Sequence, residues 1–400
     1  YIRFMQSRDR RVRKDAFDAL YSSYRALKNT IAATYSASVK ADSFNARVRG
    51  YSSAREAALD ENNIPVDVYD NLVSAVRSRL DLMHRYVRLR KKVLDLPEIH
   101  MYDVYAPMVA DVEWPVAYDE AKAMVRDGLS PLGEAYTKAL SAGMESGWID
   151  VMENRGKTSG AYSWGVYGVH PYVLLNWQDN LSNAFTLAHE MGHSMHSYYT
   201  WEKQPYVYSE YLIFVAEVAS TVNEVLLTRY LLDRTDDPAR RMYLLNHFME
   251  EFRGTVFRQT MFAEFEKITH EMHESGQALT PDGLNQVYMQ LNRDYFGPDM
   301  VLDDAIAYEW ARIPHFYRAY YVYQYSTGFS AAVALADSIL DQGKPAQDRY
   351  LEFLSGGSAR YPIDLLKSAG VDMTSPEPVL AALGVFEKTL DEMEVFFEGK

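Results

Sequence analysis

The sequence predicts a mainly α protein with one small β-sheet, and three observations carry that prediction. Apolar residues recur at spacings of three and four over most of the 400 residues, a glycine- and aromatic-rich stretch from about 147 to 177 interrupts that rhythm, and prolines divide the remainder into helix-sized pieces. Phe17, Leu20, Tyr24, Leu27, Ile31 and Tyr35 lie on one face of a single long amphipathic helix. A second helix comes after Pro65, with Tyr69, Leu72, Val76, Met83 and Val87 as its stripe and Arg77, Arg79, Arg85, Arg88, Arg90, Lys91 and Lys92 over the rest of its surface. Gly156, Gly160, Gly165 and Gly168 then alternate with Tyr162, Trp164, Val166 and Tyr167, and Pro171 to Trp177 forms a short apolar run, which together read as short strands. Asp179-Asn-Leu-Ser182 offers side-chain caps for the next helix, and Pro281, Pro298, Pro314, Pro345, Pro362 and Pro376 separate the helices after it.

Composition narrows the chemistry. Apolar residues at 48% and charged ones at 24% describe an ordinary globular protein. With no cysteine, disulfides, thiolate nucleophiles, iron–sulfur clusters and Cys-type zinc sites are all excluded, so a metal must be held by His, Asp or Glu. A formal charge of -14 argues against a nucleic-acid partner, and the cations of Arg8 to Lys14 and Arg77 to Lys92, interspersed with acids, read as solvated helix faces. No apolar run approaches the roughly 18 residues needed to cross a bilayer. No signal-peptide pattern is present either, so no membrane contact and a cytoplasmic location are expected. The chain lacks an initiator Met, which suggests that it starts inside a longer parent.

The segment that carries chemistry is Phe185-Thr-Leu-Ala-His189-Glu190-Met-Gly-His193. Histidines four apart on a helix project from one face, so both imidazoles reach one ion, while Glu190 is placed to bond the attacking water without itself binding the metal. A catalytic zinc needs a third protein ligand. The version with a further downstream histidine would require Gly at position 196 and His at position 199, where this chain has His196 and Tyr199. Carboxylates of the next helix remain: Glu217 and Glu224 stand among Phe, Val and Ala, where an unpaired acid suffers a large desolvation penalty. Seven residues apart, they share a face, so that one can bind metal while the other orients a ligand histidine. Glu210, in a more polar stretch, is a weaker candidate.

These residues resemble a known family. His189 to Tyr199 followed by Phe214-Val-Ala-Glu217-Val-Ala-Ser-Thr is similar to the oligoendopeptidase F branch of the thimet-oligopeptidase family, as are Gly254 to Glu266, Ile313 to Tyr317 and the Asp372 to Pro378 segment. The resemblance runs along nearly the whole chain. It implies a two-lobed helical zincin metallopeptidase, with a small β-sheet beside the active-site helix and a deep channel that admits short peptides. It further implies one zinc ion per chain on His189, His193 and Glu217, with Glu190 as general base; the residues themselves place Glu224, by its spacing, and His196, near the same face, around those ligands. Family members carry a further N-terminal domain, expected here to be missing. The chain then forms a single catalytic domain, with a helical segment 1–146, a β segment plus zinc-binding helices over 147–228, and a helical segment 229–400.

The tyrosine-rich block supplies the rest. Negative charge builds on the carbonyl oxygen during peptide hydrolysis, and a neutral donor fixed there favours the transition state. Tyr320 and Tyr323 are helical neighbours and His315 just precedes them; in the family, a His and tyrosines of this region contact substrate and oxyanion. Tyr323 is the favoured donor, then Tyr320, with Tyr317 and Tyr321 behind. The remaining histidines read differently: His270 and His273, three apart among charged residues, as a solvated face, and His84, His100, His170 and His247 as structural or surface residues. Arg258 and Gln259 are expected in a buried polar network. The expected function is therefore zinc-dependent hydrolysis of internal bonds in short peptides. The alternatives are a zinc carboxypeptidase of similar fold and a non-catalytic peptide-binding module.

Overall fold

A computed structural model describes residues 1–109, 112 and 114–398. Helices dominate, as expected, and among the described residues strands are confined to two small sheets. The chain divides into two compact units, the first formed by Tyr1–Ala110, Leu245–Ser326 and Leu383–Lys400, the second by Asp111–Leu244 and Thr327–Ala382.

In the first unit the expected long helix is two helices, Arg10–Ala26 and Lys28–Arg49. The break falls at Leu27, which is 57% exposed. The buried residues of the two helices are Arg13, Phe17, Tyr21, Ala32, Tyr35, Val39 and Ala46, so spacing alone assigned Leu27 to a buried face that it does not share. The region after Pro65 likewise forms Val66–Ser78 and Leu80–Val93, and all five predicted stripe residues are buried. Its cations are engaged rather than simply solvated. Arg77 pairs with Glu264 and Asp294, Arg79 with Glu387, and Arg85 with Asp391 and Glu394. Arg90 corrects the surface reading outright: it is 2% exposed and donates to the Tyr86 hydroxyl and to Glu250, both at 2.8 Å. His270 is a second correction. It is fully buried on the Arg258–Glu274 helix, with Nδ1 against the Glu266 carbonyl, because its side of that helix faces the core and not water. A parallel pair, Ile99–His100 with Met300–Val301, completes this unit.

The second unit holds the β region and the sequence's histidine motif. Three strands order as Ile149–Asp150, Tyr172–Leu174, Tyr162–Trp164, the central one parallel to the first and antiparallel to the last. Tyr162–Trp164 is thus an edge strand, with Ser163 opposite Val173. Asn180 caps the long helix Leu181–Lys203, its side chain accepting from the Asn183 N–H. A second long helix, Ile213–Arg234, packs against it. The predicted proline punctuation holds: Pro281 and Pro362 are first residues of helices, Pro345 lies in the first turn of Lys344–Leu354, and Pro376 immediately precedes Glu377–Glu398. Among the described residues, no helix is long and apolar enough to cross a membrane.

Candidate metal centre

The helices Leu181–Lys203 and Ile213–Arg234 run antiparallel, since Ala188 meets Asn223 whereas Gly192 meets Ala219 and Ser220. Their approach is close enough to require glycine. A Cβ on Gly192 would stand 2.5 Å from the Ser220 Cα and 2.7 Å from the Ala219 carbonyl oxygen, both backbone atoms that cannot rotate away. Asn223 ties the pair, donating to the Ala188 carbonyl at 3.0 Å and accepting from the buried Tyr136 hydroxyl at 3.0 Å.

This crossing brings His189, His193 and Glu217 together. Nε2 of each histidine lies 3.5 Å from the Glu217 Oε2, and the three donor atoms all fall within 4.8 Å of one another. The donor set fits zinc: bonds of about 2.0–2.1 Å at tetrahedral angles separate neighbouring donors by about 3.4 Å, and three protein ligands leave one position open. The two imidazole rings stand nearly perpendicular, at 83° with centroids 4.9 Å apart. Nδ1 of His189 lies 3.2 Å from Glu224, which holds the ring with Nε2 towards Glu217. Ser220 Oγ donates to the Glu217 carboxylate at 3.1 Å.

Charge is poised around these donors. Burial works against a charged His189, yet the hydrogen bond and charge of Glu224, with Glu217 and Glu190, outweigh it and lift its pKa to about 9. Burial pushes Glu190 up to about 7, against the pull of His189 and with Glu217 and Glu224 adding to the rise. Its carboxyl is met by the backbone of Ser163, and Ser163 Oγ bonds Ser194 Oγ at 2.8 Å, so the edge strand is anchored to this helix.

Of the other predicted residues, His196 is buried, its ring stacked at 3.7 Å on Tyr211 and close to Phe353. Burial first, and then His193, holds its pKa down at about 3. His315, Tyr320 and Tyr323 belong to the first unit. There Tyr320 and Tyr323 are buried against Tyr69, while His315 is exposed and stacks on Tyr321, with Tyr325 beside both. Sequence reasoning missed the supporting residues Gly192, Asn223, Ser163 and Ser194. Gly192 and the small pair Ala219-Ser220 were the available signal, since small residues on two apolar helices mark a close crossing.

Fold and site define a mainly helical protein of the zincin type, with metal donors on a His-Glu-x-x-His helix and its antiparallel neighbour. The chain belongs to peptidase family M3, whose model matches residues 3–385. It is 59% identical over 394 residues to oligopeptidase PepF of Bacillus subtilis, an alignment that takes in 98% of this chain and 59% of that protein. Group B oligopeptidase PepB of Streptococcus agalactiae is 47% identical, over 98% of this chain and 65% of its own length. The crystal structure of oligoendopeptidase-F from Enterococcus faecium superposes with a TM-score of 0.83 at 43% identity, covering 100% of this chain and 66% of that one. The chain therefore spans 59% and 65% of the length of the two oligopeptidases it matches.

Proposed function

We propose that this chain is the catalytic part of a zinc-dependent endopeptidase that hydrolyses internal bonds of short peptides. The observation that carries the proposal is the convergence of the His189, His193 and Glu217 donors, with Glu190 beside them on the same helix. When bound, zinc supplies Lewis acidity, acidifying a water and polarising a carbonyl. Glu190 then takes the proton of the attacking water and delivers it to the departing amide nitrogen, a transfer favoured by an acid–base group titrating near neutrality. Glu224 holds His189 in the tautomer that leaves Nε2 free. The edge strand Tyr162–Trp164 offers backbone groups to an extended substrate, so a peptide would add as a further strand with its side chains alternating about Ser163.

His315, Tyr320 and Tyr323 are assigned substrate and oxyanion contacts on the family resemblance. Burial alone raises the Tyr323 pKa well above its ordinary value, which keeps the hydroxyl neutral and able to donate. A cytoplasmic location and one catalytic domain form part of the same reading. Digestion of quenched peptides blocked at both termini, with and without chelator, tests it. Cleavage that chelation stops and zinc restores is expected. A fully zinc-loaded protein that cleaves no blocked peptide would overturn it, and activity confined to peptides with a free C-terminus would make the protein a carboxypeptidase instead.

A further inference from the structure

In the first unit, away from the metal ligands in sequence, four buried or half-buried guanidiniums share two carboxylates. Arg90 and Arg253 both bond Glu250, at 2.8 Å each, and Arg258 and Arg312 both bond Oε1 of Glu309, at 2.5 and 2.6 Å. Oε2 of Glu309 accepts in addition from the Tyr288 hydroxyl at 2.7 Å. The cluster thus carries two positive charges beyond its acids, inside a chain whose total charge is -14.

Three of these arginines meet at one cavity. Arg253, Arg258 and Arg312 line a cavity of about 20 Å³, whose wall also carries Glu309, Tyr21 and Tyr105 beside apolar residues such as Phe17 and Met261. Arg258 gives Glu309 only Nη2, and Arg312 uses Nε on the Tyr21 hydroxyl and Nη2 on Glu309. Nε and Nη1 of Arg258 and Nη1 of Arg312 have no protein acceptor among the described residues. Local helix geometry produces this convergence. Residues five apart on an α-helix point about 140° away from each other. Between Phe252 and Phe257 the backbone is instead a π-helix, whose wider turn brings Arg253 and Arg258 to the same side.

We infer that this cavity is a binding site for one small monovalent anion of the halide type, held by the unused N–H groups of Arg258 and Arg312 with Arg253 beside them. Its size selects the class: about 20 Å³ holds one or two water-sized species, so a single chloride fits while sulfate, phosphate or a peptide carboxylate does not. The surplus positive charge of the guanidiniums around this cavity favours an anion over a water molecule as its occupant. Glu309 is ionised whenever the site operates. Although burial raises its pKa, Arg258 and Arg312 hold it down at about 2.

The test is anomalous diffraction from crystals of the full chain soaked in bromide, joined to thermal unfolding at constant ionic strength as chloride replaces gluconate. A bromide peak within contact of the Arg258 and Arg312 guanidiniums is expected, with a saturable rise in unfolding temperature of about 2 °C or more. Arg258→Gln, which leaves Glu309 bonded by Arg312 and Tyr288, should abolish both. Absence of the peak would overturn the inference. A peak without a saturable rise would mark an adventitious ion only and would overturn it equally.

Discussion

At the scale of single residues, the consequential groups are Glu190 and His189, and their protonation makes two predictions. Glu190→Gln preserves shape but removes the base, so peptide turnover should fall by about 10²–10⁴-fold while zinc stays bound at one per chain, checked by initial rates and elemental analysis. Turnover near the wild-type rate would remove Glu190 from the chemistry. His189 bears on the metal itself. With its pKa lifted to about 9 by the Glu224, Glu217 and Glu190 carboxylates, the metal-free ring is protonated at pH 7, and Nε2 must lose that proton to coordinate. Zinc binding at pH 7 should therefore release about one proton, and affinity should rise as pH climbs towards 9, the direction required when protons and metal compete for one lone pair. Calorimetry in buffers of different ionisation enthalpy reads the proton count. Glu224→Gln should lower both that count and, by about 10–100-fold, zinc affinity.

The element scale explains what was legible in the sequence and what was not. The motif helix, its Asn180 cap, the small β region and the acidic ligand helix were all readable, because each rests on a local pattern: a four-residue spacing, a capping side chain, alternation, an acid in an apolar run. Breaks at Leu27 and Arg79 were not readable, nor was the burial of Arg90 and His270, because each depends on what the rest of the fold places opposite that residue. Between Glu217 and Glu224 the residues alone left the ligand open. The crossing geometry sets Glu217 against both Nε2 atoms and Glu224 against Nδ1. That geometry depends on Gly192, so Gly192→Ala should force the helices apart and cost about 1–3 kcal/mol of stability, with a loss of zinc affinity that matching surface Gly→Ala changes do not produce. Unaltered unfolding temperature and metal affinity in Gly192→Ala would show that the crossing has slack that its backbone contacts deny.

For the whole molecule, the division into two units makes metal removal a localised event. All three candidate ligands and the residues beside them lie in the second unit, on two adjoining helices, whereas the first unit is held by its own aromatic core around Tyr35, Phe265, Trp310 and Phe316 and by ion pairs such as Arg77 with Glu264. A ligand that binds only the folded state stabilises it by about 2.7 kcal/mol when present at a hundred times its dissociation constant. Here a metal on the proposed donors would deliver that stabilisation by cross-linking Leu181–Lys203 to Ile213–Arg234. Without metal, His189 and the carboxylates still attract one another, so the helices should loosen rather than unfold. Hydrogen exchange compared between zinc-loaded and chelated protein should show faster amide exchange concentrated in those two helices and in the strand Tyr162–Trp164 anchored to them through Ser163 and Ser194. Amides of the Arg10–Ala26, Lys28–Arg49 and Arg258–Glu274 helices should keep their protection. Equal loss of protection in both units would mean that the metal stabilises the molecule as one cooperative body, and the local account would fail.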